Sequence, residues 1–143
     1  MMNDEYYIEK TIELAKKAAK YGDFPVGALI VKDNKIIAKA YNKKEKNNNA
    51  INHAELLAIS KACKKLKTWH LEDCTLYTSM EPCIMCLGAI TQSRIKRIVY
   101  STHNSSFGTI ENDLSKFKIN IDINKLEKDD YVNLIKKFFK DKR

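Results

Sequence analysis

Apolar residues between Glu5 and Tyr21 (Tyr7, Ile8, Ile12, Leu14, Ala15, Ala18 and Ala19) recur mostly three or four positions apart among lysines and glutamates. That spacing predicts an amphipathic helix. The stretch YGDFPVG breaks it, and ALIVKDNKIIAKAYN then reads as two strands joined at Asp33-Asn34, a dipeptide suited to a tight turn. A polar connection, KKEKNNNAIN, leads to HAELLAISKACKKL, where Leu56, Leu57, Ile59 and Ala62 suit a helix with one buried side. CTLYTS predicts a strand, PCIMCLGAITQS a helix with Pro82 near its first turn, and KRIVYST another strand. Strand, helix, strand in that order predicts parallel pairing through a right-handed crossover. A weaker strand at KINIDI and an amphipathic helix from Leu126 to Lys140 follow. No internal repeat, low-complexity tract or linker interrupts the pattern, so a single α/β domain over residues 1–143 is expected, one mixed sheet with helices on both faces.

The 143-residue length and 44% hydrophobic content fit a chain that buries roughly two-thirds of its unfolded surface without disulfides. No apolar run approaches the roughly 20 residues of a bilayer span, and MMNDEYYIEK lacks the basic and apolar regions of a signal peptide. A reducing cytoplasmic compartment, with no membrane association, is the expectation. There the four cysteines are expected to be unpaired, Cys63 and Cys74 as ordinary buried thiols. The net charge of +8 favours a polyanionic partner, although lysine and asparagine richness such as NKKEKNNN also arises from AT-rich coding.

The chemistry is carried by EPCIMC. Cys83 and Cys86, three apart at a helix start, can turn both sulfurs toward one zinc ion, and the free amides and positive dipole end there favour thiolate over thiol. No second Cys-x-x-Cys exists to complete a four-cysteine cage. Of the three histidines, His53, His70 and His103, only His53 opens a predicted helix with an acidic residue two positions on. One His and two Cys leave the fourth tetrahedral position for water, the mark of a catalytic zinc, one per chain. Glu55 is two residues from His53, so on a regular helix it points elsewhere; it suits a proton carrier that takes a proton from the water and returns it to a ring nitrogen and the departing amine.

His-Ala-Glu followed by Pro-Cys-Ile-Met-Cys is the H-x-E…P-C-x-x-C signature of zinc nucleobase deaminases. Through these motifs, with FPVGALIV (Phe24 to Val31), Asn42, TLYTSMEPCIMCLGAI and SRIKRIVY (Ser93 to Tyr100), the chain resembles the cytidine and deoxycytidylate deaminase superfamily, and within it the bacterial tRNA-specific adenosine deaminases. The resemblance runs from about Tyr7 to Tyr100 and returns at KKFFKDKR. It implies a cytidine deaminase-like three-layer sandwich around about five strands, and a homodimer packed near MCLGAI. The implied reaction converts the wobble adenosine of a tRNA anticodon to inosine. Zinc would be bound by His53, Cys83 and Cys86, with Glu55 catalytic; Asn42 would hydrogen-bond the base, Val26 would line its pocket, and backbone near Ala54 and Met80-Glu81 would complete the contacts. SRIKR and KKFFKDKR are the implied phosphate-binding patches, with one of Phe138 and Phe139 expected to pack on the body.

The loop STHNSSFGTIEND departs from the family pattern. It has no acidic residue before Glu111, and Asn104 stands roughly where relatives carry an acid near the ribose, which suggests greater tolerance of single-stranded DNA. Two alternatives stay open: a free-base or nucleotide deaminase acting on guanine, cytosine, cytidine or dCMP, and a non-catalytic zinc-containing RNA-binding module. FPVGA and SRIKRIVY favour the tRNA enzymes over the first. Glu55 argues against the second, since a binding module has no use for a carboxylate beside an open metal position.

Overall fold

A computed structural model describes residues 3–110 and 120–141. Its elements are α1 (Asp4–Lys20), β1 (Gly27–Lys32), β2 (Lys35–Tyr41), α2 (Ala54–Leu66), β3 (Thr75–Met80), α3 (Ile84–Gln92), β4 (Arg97–Thr102), β5 (Asp122–Lys125) and α4 (Asp129–Asp141).

The five strands form one mixed sheet in the order β2-β1-β3-β4-β5. β1 is antiparallel to both β2 and β3, whereas β3, β4 and β5 run parallel. The β1–β2 hairpin turns at Asp33 and Asn34, whose φ angles of 52° and 61° are the left-handed pair of a two-residue hairpin turn. A register shift between Ile30 and Val31 adds a bulge.

β3 is buried along its whole length and β1 along nearly all of it. Alternate side chains of a strand face opposite ways, so such strands need cover on both sides. α1 and α4 touch each other, as do α2 and α3, which gives helical layers on the two faces. The strands and helices expected from the pattern are present, and the mixed α/β architecture is as read.

Three boundaries and one burial differ. Pro82 precedes α3 rather than lying in its first turn, because Cys83 itself is the N-cap. The strand expected at KINIDI begins at Asp122, and its first residues, 118 and 119, lie outside the described residues. The last helix begins at Asp129 instead of Leu126; Asp129 and Asp130 in its first turn suit the positive dipole end better than the apolar residue does. Cys74 is buried as expected but Cys63 only half-buried, and both are free thiols. Among the described residues no helix is long and apolar enough to cross a membrane.

Candidate active site

Two helix N-termini and the end of β3 build the site. His53 is the N-cap of α2, with extended backbone (φ −75°, ψ 148°) and no cap bond from its side chain. Asn42, just past β2, does the capping instead: its Oδ1 accepts the Ala54 N–H at 2.8 Å. The imidazole is thereby released to face α3. Cys83 repeats the arrangement as the extended N-cap of α3 (φ −77°, ψ 174°), again without a cap bond, and Cys86 lies in the first turn.

His53 Nδ1 stands 3.6 Å from each sulfur, and the sulfurs are 3.7 Å apart. With Zn–S near 2.3 Å and Zn–N near 2.0 Å, a tetrahedral ion has ligand–ligand edges of about 3.5–3.8 Å. The three donors therefore already form one face of such a tetrahedron. They are the one group of metal-competent side chains found among the described residues. His70 and His103 are elsewhere, paired with Glu72 and Glu81.

Without a metal, charge prepares one of the three donors, Cys83, for this use. The Cys86 thiol and the His53 ring, both hydrogen-bonded to Cys83, lower its thiol pKa to about 4. Cys86 is pushed upward by its hydrogen bond with Cys83, by burial and by the charge of Glu55. His53 is raised, chiefly by its bond to Cys83. Glu55 is 4% exposed, and burial lifts its carboxyl to about 7, against the opposing pull of its own backbone amide and of His53. It stands outside the three-donor group yet within hydrogen-bonding reach of Cys86. A buried carboxyl titrating near neutrality beside a metal-competent cluster is equipped to accept and return protons.

The backbone groups expected around the base are partly committed within the protein. The Ala54 N–H goes to Asn42, the Glu81 N–H to the Thr102 carbonyl at 2.8 Å, and the Met80 carbonyl accepts from Thr78 Oγ1 at 3.0 Å. Val26 is buried in the core, with its carbonyl accepting the Asn42 N–H at 3.1 Å. Asn104 is half-buried and its Oδ1 closes a turn by accepting the Ser106 and Phe107 N–H groups at 3.3 and 3.0 Å. Both Phe138 and Phe139 pack on the Phe24 ring, at 5.7 and 5.3 Å, where one was expected to; Phe139 stays 49% exposed.

Two supports were not read from the sequence. Segment 102–109 wraps the turn that carries Cys83: Glu81 Oε1 takes His103 Nδ1 and the Asn104 N–H, Thr109 Oγ1 donates to the Pro82 carbonyl, and Cys83 and Gly108 form a β-bridge. The buried Tyr131 of α4 donates to the Pro25 carbonyl at 2.6 Å and accepts from Ser79 Oγ, which itself takes the Gly27 N–H. That chain of bonds fixes the FPVG loop from behind.

A five-stranded mixed sheet with a His/Cys/Cys group at two converging helix starts is the arrangement of cytidine deaminase-like proteins. A family profile described as MafB19-like deaminase matches residues 2–143, and the chain belongs to that family. A tRNA-specific adenosine deaminase of Bacillus subtilis (strain 168) is 42% identical over 123 residues, 84% of this chain and 76% of the relative. A structure from work on A-to-I editing by tRNA:A34 deaminases at the wobble position superposes with a TM-score of 0.81 at 29% identity, covering 87% of this chain and 99% of that one. Guanine deaminase of Bacillus subtilis superposes at 0.70 with 34% identity over 97% of this chain and 95% of its own.

Proposed function

We propose that the whole chain, residues 1–143, is one zinc-dependent deaminase domain that hydrolyses adenosine to inosine at the wobble position of a tRNA anticodon. The observation that carries the chemistry is Glu55, a buried carboxyl raised to about 7 beside three donors spaced for zinc. The choice of substrate is supported by the 42% identity to a tRNA-specific adenosine deaminase over 84% of the chain and by the +8 charge, which suits an RNA loop.

His53, Cys83 and Cys86 are the residues that would hold zinc. When bound, zinc supplies a Lewis acid that makes water a nucleophile near neutral pH. Glu55 takes one proton from that water as the oxygen adds to C6 of adenine, and passes it to N1. It then carries the remaining hydroxyl proton to the exocyclic nitrogen, which leaves as ammonia while the C6–N bond breaks and inosine's carbonyl forms. The Oδ1 of Asn42 is held by Ala54, so its amide nitrogen is the group turned to hydrogen-bond the base. Val26, Ala54, Met80 and Glu81 shape the pocket, and Asn104 lies on the loop toward the ribose.

The working unit on this reading is a cytoplasmic homodimer. α3 leaves Ile84 63% exposed, and a side chain built at Gly88 would meet open space, so one apolar face of the metal-bearing helix is available to a second copy. Sedimentation at micromolar concentration should give a dimer; a monomer would remove this part.

The deciding assay presents the zinc-loaded protein with an anticodon stem-loop carrying wobble adenosine, and separately with guanine, cytidine and dCMP. Inosine in the RNA is expected. Turnover of guanine without turnover of RNA would replace the reading with the guanine deaminase one, and RNA binding with no turnover of anything would leave a binding module.

A further inference from the structure

One face of the molecule, built from the end of α1, the end of β2 and the loop after it, carries lysines seated on aromatic rings. Tyr21 and Tyr41 stack with ring centroids 6.2 Å apart and planes 17° from parallel. The Lys17 and Lys43 ammonium groups lie 5.5 and 5.0 Å from the Tyr41 centroid, and that of Lys46 lies 4.8 Å from Tyr21. Each such contact is weak when exposed, but three on one two-ring stack narrow the space the ammonium groups sample.

The platform is anchored. Asp23, 1% exposed, takes the Glu45 and Lys46 N–H groups at 2.7 and 3.2 Å, and the Lys43 N–H donates to the Asn52 carbonyl at 3.0 Å. Its positive charge is concentrated: among the described residues no carboxylate is paired with Lys17, Lys43 or Lys46, and Lys61 is pulled below the usual lysine range by burial and then by its neighbours Lys43 and Lys39. Placing like charges together costs energy that a polyanion offsets. Lysines on an edge strand also discourage sheet-to-sheet pairing, which accounts for Lys39 on β2, but not for Lys17 on a helix or Lys46 on a loop.

The face borders the site. A cleft of about 320 Å³ is lined by Asn42, which caps α2, and by Gly22, Lys44 and Glu45, the chain neighbours of Tyr21, Lys43 and Lys46.

We propose that this face is the track for the phosphates of the RNA strand leading into the active site, with Lys17, Lys43 and Lys46 contacting phosphates and the Tyr21–Tyr41 stack holding them in place. The inference rests on the RNA reading given above. A charged group held before binding loses less freedom on binding, so the rack contributes affinity beyond the charge itself. Because the contacts are to phosphate, they position the strand without reading its sequence.

The test uses fluorescence-detected binding of an anticodon stem-loop at several salt concentrations, with turnover measured at saturating RNA. The triple variant Lys17→Ala/Lys43→Ala/Lys46→Ala should weaken binding about tenfold or more at 0.1 M salt. Its log K against log salt slope should be shallower by about 2, three contacts at about 0.7 each, with kcat within about twofold of the parent. A charge-matched triple at the far end of α2, Lys64→Ala/Lys65→Ala/Lys67→Ala, should stay within about threefold of the parent. Tyr41→Leu, which keeps every charge, should weaken binding severalfold with an unchanged slope. Equal losses in the two lysine triples would overturn the track in favour of unfocused net charge, and so would a first triple with parental affinity and slope. Failure of the unmodified protein to bind the stem-loop would overturn the RNA reading and this inference together, an outcome distinct from either of those.

Discussion

Gly108 lies against the carboxylate of Glu81, where a side-chain carbon would collide with Glu81 Oε1 and with the Asn104 carbonyl. The approach is what lets segment 102–109 close over the turn holding Cys83, through the Cys83–Gly108 bridge and the bonds from His103 and Asn104 to Glu81. The atoms in the way are a buried carboxylate and a backbone oxygen, neither of which can swing aside cheaply. Gly108→Ala is therefore expected to cost about 1–3 kcal/mol and to lower zinc content by displacing Cys83. Denaturant unfolding and metal analysis check it; a variant with parental stability and full zinc would show that the loop yields without disturbing the donors.

Glu55 occupies a different role from the donors, and its loss should look different. Glu55→Ala removes the buried carboxyl and its bond to Cys86 but leaves all three donors, His53, Cys83 and Cys86, in place. Zinc content and RNA affinity should stay near parental while turnover falls about 100-fold or more. Wild-type turnover in the variant would take the proton steps away from this residue.

Cys86 is fully buried, so its removal takes away a ligand and leaves a gap in the core at once. Metal binding energy is folding energy where the site forms only in the folded chain. Cys86→Ala should lose zinc and lower the melting temperature together, and adding zinc should stabilise the parent but not the variant. Full zinc occupancy in Cys86→Ala would exclude that sulfur from the site.

What the sequence disclosed and what it hid divide by range. The hairpin at Asp33-Asn34 and the 3-to-4 spacing of α1 are local signals, set by φ preferences and by which face is apolar, so pattern alone placed them within a residue or two. His53, Glu55, Cys83 and Cys86 were legible because their residue types at helix starts have few other uses together. The wrap of 102–109 over Glu81 and the bond from Tyr131 to Pro25 join residues about 22 and 106 positions apart, and nothing in the local composition of either partner marks it. Asn42 shows a middle case: its importance was visible, yet its capping of Ala54 depends on where two separate elements meet.

Asp4 and Arg97 give a prediction away from the site, at the start of β4. Arg97 Nη1 and Nη2 donate to the two Asp4 oxygens at 3.0 and 2.6 Å, Tyr77 Oη donates at 2.6 Å and Asn124 Nδ2 at 3.3 Å, tying α1 to three strands. The Arg97 hydrogen bond, outweighing burial, holds the Asp4 carboxyl below its ordinary value of 3.8. Its side chain is 17% exposed, so solvent screens the pair only in part. A carboxylate whose pKa is depressed by folding contributes stability above its unfolded pKa, and that contribution drains away as pH falls through the folded value. Asp4→Asn should thus be less stable than the parent by about 2 kcal/mol at pH 7, and the gap should narrow below about pH 4 as the parent's carboxyl takes up its proton. Urea unfolding at pH 7 and pH 3 measures both gaps, while zinc content at pH 7 should not change. A gap of equal size at the two pH values would mean that shape rather than charge makes Asp4 matter.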